Sequence, residues 1–112
     1  MTKIYKRVAI QFLRGKDEKD HPEIRIYRKN DGKKGKAIYK FNKPSTINLD
    51  NFKSIQRMYL IDEEGELSTR NIDLSISEES IDEVKSILSW NSEEEFERFM
   101  RFAQRYANHI NN

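Results

Sequence analysis

The stretch SEEEFERFMRFAQRYA, residues 92–107, constrains the fold more than any other part of the chain. It is helix-periodic and close to the C-terminus, so the fold must dock one long amphipathic helix after everything else. Ser92 and Glu95 have capping-box spacing, in which a hydroxyl and a carboxylate satisfy backbone N–H groups that the first turn leaves without partners. Glu93, Glu94 and Glu95 fill that turn, where the helix dipole favours negative charge. At about 100° per residue, Phe96, Phe99, Met100, Ala103, Tyr106, Ala107 and Ile110 share a stripe about 120° wide. Arg98, Arg101 and Arg105 cluster opposite, with Phe102 on the border. Glu94–Arg98 and Glu97–Arg101 are i,i+4 pairs in the favourable order, each contributing about 0.2–0.5 kcal/mol. The spacing predicts a core helix with a charged back. A membrane-surface helix would carry a lysine-rich polar face rather than a glutamate-capped start.

Upstream, the period changes from helix to strand. VAIQFLR (8–14) places Val8, Ile10 and Phe12 on one side, and EIRIYRK (23–29) places Ile24 and Ile26 against Arg25 and Tyr27. After the turn residues NDGKKG, the run KAIYKF (36–41) resumes with Ala37, Tyr39 and Phe41, a good hairpin signal through Asp31-Gly32. Pro44 closes that strand, and residues 46–54 read as a loop with a helical turn after Asn48. MYLI (58–61) reads as a short strand buried on both faces. Residues 62–65 form a turn, and Leu67 to Ser77 reads as one strand with Ile72, Leu74 and Ile76 facing one way. DEVKSILSW (82–90) fits strand or helix; strand is the reading that leaves the cap at Ser92 uncrowded, with Trp90 anchoring the helix on the sheet. Strands followed by one helix give an α+β fold, expected as a single antiparallel sheet of four to five strands with the helix packed on one face.

Composition narrows the chemistry. A chain of 112 residues suits one domain with a modest core, and the absence of cysteine excludes disulfides, zinc thiolate sites and cysteine nucleophiles. No run approaches the ~20 apolar residues of a membrane span or a signal sequence's apolar segment, so a soluble protein is expected. DEEGE (62–66) lacks calcium-loop spacing, and successive strand residues point to opposite faces, so it reads as a hairpin turn rather than a metal site. GKKGK (32–36) lacks phosphate-loop spacing. His21 and His109 lie far apart without a nucleophile motif and are expected to be exposed. No catalytic, metal or cofactor site is expected.

Charge is uneven: residues 1–57 carry +10 and residues 58–112 carry −8, against a net +2. That asymmetry suggests a basic surface for an acidic protein, phosphate or an anionic membrane, unless the halves interleave and cancel. A basic nucleic-acid-binding α+β module, with Tyr5, Tyr27, Tyr39 and Phe41 stacking bases, stands as the alternative to protein binding. The glycine-aromatic pattern of the common RNA-recognition motif is absent.

Four blocks carry a resemblance. ERFMRFAQRYA (97–107) resembles the DRFMRFMERYAE segment of the Psb28 family of photosystem II assembly factors, and MYLIDEEGELSTR (58–70) is similar to that family's MYLVDEEGEIVTR. IQFLRG (10–15) and PEIRIYRKNDGKKGKAIYKFNKP (22–44) are similar in order and spacing. The matched positions include Met58, Tyr59, Asp62, Glu63, Glu64, Gly65, Glu66, Thr69 and Arg70, then Arg98, Phe99, Met100, Arg101, Phe102, Arg105 and Tyr106. Gln56-Arg57 replaces a Thr-Gly, SEESID (77–82) replaces a glycine-proline hairpin, and Ala103 replaces a methionine, which points to a divergent or second paralogue. The resemblance implies one domain over 1–112, with 1–7 as an N-terminal extension and 108–112 as a frayed C-terminus.

It further implies a non-catalytic factor that binds photosystem II assembly intermediates containing the inner antenna subunit CP47. The implied location is peripheral, on the cytosolic or stromal face of the thylakoid. Chlorophyll would belong to the partners. The expected partners are the cytosolic tail of CP47 and reaction-centre loops, not nucleic acid, and the free protein is expected to be a monomer. Arg14, Arg25, Arg28, Lys33, Lys34, Lys36, Tyr39 and Lys40 are the candidate partner-binding residues.

Overall fold

The computed structural model describes residues 7–31 and 33–111. Most of the N-terminal extension, Tyr5 and the Gly32 of the hairpin turn lie outside the described residues. Eight strands and one α-helix follow in order: β1 (Ala9–Leu13), β2 (Lys16–Asp17), β3 (Glu23–Arg28), β4 (Gly35–Asn42), β5 (Met58–Asp62), β6 (Gly65–Thr69), β7 (Ile72–Ile76), β8 (Ile81–Trp90) and α1 (Glu93–Ile110). A short 3-10 turn, Phe52–Ser54, occupies the loop where a helical turn was expected.

The class is α+β and all pairing is antiparallel, but there are two four-stranded sheets rather than one, ordered β2-β1-β5-β6 and β3-β4-β8-β7. The single-sheet expectation fails between Leu67 and Ser77. That run is two strands: β6 pairs with β5, whereas β7 pairs with β8 in the other sheet. The chain changes sheets at Arg70-Asn71, where Thr69 Oγ1 donates to the Ile87 carbonyl at 2.6 Å and Ile87 N–H donates to the Asn71 carbonyl at 2.9 Å. Each sheet can then lay one apolar face on the other, as layered cores require.

The period-2 pattern decides which side chains meet. Ala37, Tyr39 and Phe41 of β4 lie directly across from Leu88, Ser86 and Val84 of β8, on the inner face of one sheet. Ile10 and Phe12 of β1 join Met58 and Leu60 of β5 on the inner face of the other, and all these residues are buried. The Phe12 and Phe41 rings meet edge to face, with centroids 5.0 Å apart, across the two layers. Ile26 and Ile76 stand 41 % and 47 % exposed, each on an outer strand.

The helix closes the core from the inner side. Phe99 stacks on Trp90 at 5.1 Å and meets Tyr39 edge-on at 6.4 Å, so Trp90 is the anchor the sequence suggested. Phe102, assigned to the border of the apolar stripe, is fully buried and stacked on Tyr106, whereas Met100 is 37 % exposed and Ala107 is exposed. The buried stripe is thus rotated toward Phe102. Ser92 caps the helix as expected: its Oγ accepts from Glu95 N–H at 3.2 Å. The reciprocal bond is displaced by one residue, with the Glu95 carboxylate accepting from Asn91 N–H at 2.7 Å.

Candidate functional site

Two features could carry function: an acidic turn held by helix arginines, and a basic hairpin with a free edge. Turn geometry creates the first. Asp62 pairs with Gly65 across a two-residue connection, and Gly65 takes φ +121°, which disfavours any side chain there. Asp62 Oδ1 accepts from Glu64 N–H at 3.0 Å, a local turn that aims the three carboxylates at the helix.

Three arginines meet them. Arg98 donates two bonds to Asp62, at 2.7 and 2.8 Å, and Arg105 adds a third at 3.0 Å. Arg101 grips Glu64 with two bonds of 2.7 and 2.9 Å; Arg105 also reaches Glu64 and lies 3.3 Å from Glu63. The Asp62 side chain is fully buried and that of Arg98 is 17 % exposed. Burial pushes the Asp62 carboxyl up, but the hydrogen bonds from Arg98, Arg105 and Glu64 N–H win and hold it below its ordinary value. Arg101 and then Arg105 pull Glu64 down to about 2. The arginine face, expected as the helix's charged back, thus clasps the β5–β6 turn within the molecule. No group of three or more His, Cys, Asp or Glu side chains among the described residues is arranged to hold a metal ion.

The second feature follows from topology. Among the described residues β3 is an outer strand paired only with β4, so one row of its backbone N–H and C=O groups has no strand partner there. Ile26 and Tyr27 stand exposed along it. Of the candidate partner-binding residues, Arg28, Lys33, Lys34 and Lys36 gather at the turn end of this hairpin, where Lys29 N–H donates to the Lys34 carbonyl at 2.8 Å. Arg28 lies over the Phe96 ring at 3.8 Å, and the Lys36 ammonium lies 5.9 Å from the Tyr27 centroid. Arg25 pairs with Glu23 at 2.9 Å and Lys40 lies 3.5 Å from Glu83, both on the outer face.

Two candidates belong elsewhere. Arg14 sits on the other sheet, bonded twice to Glu66 at 2.6 and 2.8 Å and stacked over Tyr59 at 3.8 Å. Tyr39 is fully buried, as is Phe41, so neither can meet a partner or stack a base. That removes half of the aromatic set on which the nucleic-acid alternative rested.

The family-motif residues divide by role. Met58, Phe99, Phe102 and Tyr106 are core; Thr69 ties the sheet crossing; Asp62, Glu63, Glu64, Arg98, Arg101 and Arg105 form the clasp. Arg70 and Glu66 are exposed. Sequence reasoning missed Glu18. Its buried carboxylate accepts from the backbone N–H and hydroxyl groups of both Ser45 and Thr46, which fixes the loop after β4. Nothing local marks it, because its partners lie 27 and 28 residues away. His21 is exposed, with Nδ1 3.4 Å from the Tyr106 hydroxyl, and His109 is exposed near the helix end.

These features define a class: a two-sheet antiparallel α+β protein locked by a C-terminal helix, with a basic hairpin presenting a free edge. The chain belongs to the Psb28 family, described as "Psb28 protein", which it matches over residues 10–111. It is 69 % identical over 110 residues to the "Photosystem II reaction center Psb28 protein" of Prochlorococcus marinus (strain NATL2A), covering 98 % of this chain and 97 % of that one. The protein of the same name from Synechococcus sp. (strain CC9605) is 43 % identical over 101 residues, covering 90 % and 80 %. A third, from Prochlorococcus marinus (strain MIT 9211), is 44 % identical over 99 residues, covering 88 % and 85 %.

Proposed function

We propose that this chain is a non-catalytic photosystem II assembly factor. It docks peripherally, on the cytosolic or stromal face of the thylakoid, onto intermediates that contain the inner antenna subunit CP47. The relatives' names supply the association with photosystem II. No helix among the described residues is long and apolar enough to cross a membrane, in keeping with peripheral docking.

The observation that carries the docking mode is the free β3 edge, flanked by exposed Ile26 and Tyr27 and by the cations of the hairpin. Unpaired edge groups accept an extended segment as an added strand, with backbone bonds supplying affinity and neighbouring side chains the selection. A CP47 tail or a reaction-centre loop is such a segment. Lysines along the hairpin disfavour pairing with a second copy yet admit an acidic or polar tail, consistent with a monomer when free.

Amide hydrogen exchange with and without a CP47 tail peptide tests the mode. New protection confined to β3 supports strand addition, whereas protection confined to the exposed side of the helix refutes it. Capture of the chain's partners from solubilised thylakoids, probed for antenna and reaction-centre subunits, tests the assignment itself.

A further inference from the structure

The turn end of the β3–β4 hairpin holds a second, separate feature. Between residues 27 and 36 stand Arg28, Lys29, Lys33, Lys34 and Lys36 against one carboxylate, Asp31. That exposed carboxylate is engaged within the turn: Oδ1 accepts from Lys33 N–H at 3.0 Å. The four lysines are exposed. An open groove of about 340 Å³ runs from Tyr27, Lys29, Lys34 and Lys36 to Trp90 and Asn91 at the start of the helix connection. Gly35 lets the buried Trp90 ring pack against the strand beside it. A Cβ there would strike the Tyr27 carbonyl and come within 2.8 Å of the Trp90 ring.

We infer that this hairpin end docks on the anionic surface of a lipid bilayer, with a headgroup seated in the groove. The chemistry selects that occupant in two ways. Cations grouped at one end of a hairpin meet a flat field of negative charge together. Tyr27, 47 % exposed beside the Lys36 ammonium, adds the half-apolar ring that sits well at a headgroup interface. The inference deepens the docking reading above, on which it rests for the presence of a membrane. The hairpin end would hold the protein at the surface while the β3 edge remains open to the protein partner.

Co-sedimentation of the full chain with vesicles tests it, comparing phosphatidylcholine alone with a mixture containing one-third phosphatidylglycerol. Binding to the anionic vesicles only is expected. A basic residue near such a surface contributes about fivefold, so Lys29→Gln, Lys33→Gln, Lys34→Gln and Lys36→Gln together should lower partitioning by more than about 10²-fold. Lys16→Gln, Lys19→Gln, Lys43→Gln and Lys53→Gln remove the same charge away from the hairpin and should leave most binding intact.

Three results would overturn the inference. They are no binding to anionic vesicles, equal loss in both fourfold variants, or displacement by inorganic phosphate at constant ionic strength, which would mark a free-anion site. The two readings separate cleanly. A chain that gains β3 protection with the tail peptide but ignores vesicles refutes the lipid site alone, and the reverse pattern refutes strand addition alone.

Discussion

Arg98→Ala should be among the most destabilising single changes on the helix surface, although the residue lies on the helix's charged side. The Asp62 carboxylate is wholly buried and receives three arginine hydrogen bonds, two of them from Arg98 at 2.7 and 2.8 Å. Removing Arg98 leaves a buried anion with one arginine bond at 3.0 Å and the Glu64 N–H. Breaking a buried pair from one side costs about 3–5 kcal/mol. Because Arg105 remains and Arg98 is 17 % exposed, the lower end applies, about 3 kcal/mol. For a chain of this length that corresponds to a fall in Tm of about 12 °C. Arg101→Ala breaks an exposed, solvent-screened pair with Glu64 and should leave the unfolding midpoint nearly unchanged.

Urea unfolding followed by far-ultraviolet circular dichroism separates the two, and salt sharpens the contrast. Added salt screens the exposed pair and barely touches the buried one. Replacing both partners, Arg98→Met with Asp62→Leu, removes the stranded charge and should recover most of the loss suffered by Arg98→Ala. Equal midpoints for Arg98→Ala and Arg101→Ala, or a double variant no better than the single, would refute the reasoning.

Three further outcomes are expected. Phe102→Ala should cost about 3–5 kcal/mol, because its ring is fully buried, whereas Met100→Ala should stay below about 1 kcal/mol; comparable urea midpoints would restore the unrotated stripe. Gly35→Ala should lower Tm, since its Cβ meets backbone and the Trp90 ring rather than a flexible side-chain end, and near-ultraviolet dichroism should report the displaced indole. Glu64→Gln should flatten the acid side of the stability curve. The Glu64 carboxyl lies at about 2 when folded against 4.5 normally, so its contribution is fully present above 4.5 and is lost as pH falls toward 2, with Asp62 acting in the same direction. Acid titration of the urea midpoint in the wild type and the variant measures that difference.

What the sequence disclosed and what it hid follow from the range of the forces involved. Alternation is set within a few residues, so Ala37, Tyr39 and Phe41 could be placed on one face, and the strand reading of 82–90 needed only the cap at Ser92 to decide it. The split of 67–77 was hidden. Its cause is a pair of hydrogen bonds with Ile87, whose carbonyl accepts from Thr69 and whose N–H donates to the Asn71 carbonyl, and no property of the segment itself announces them. Tyr39 was misread as surface for a related reason: a tyrosine on a basic strand looks the same from the sequence whether its ring meets solvent or Phe99.

The rotation of the helix shows how a charge contact can settle a packing question. A helical wheel fixes the order of residues around the axis but not which direction faces the core, and with Phe96, Phe99, Met100 and Phe102 all apolar the stripe has two plausible centres. Arg98 and Arg105 both have to reach the buried Asp62, and Arg101 has to reach Glu64. That requirement turns the helix so that Phe102 enters the core and Met100 leaves it. The segments 58–70 and 97–107, which independently resemble the family, are therefore the two halves of one clasp: the first supplies the carboxylates and the second the guanidinium groups. By fixing the helix to the β5–β6 turn, the clasp also holds Phe96 under Arg28 and beside Trp90, which lines the base of the hairpin groove. Loosening the clasp should thus be felt at the basic hairpin, with the helix as the connecting element.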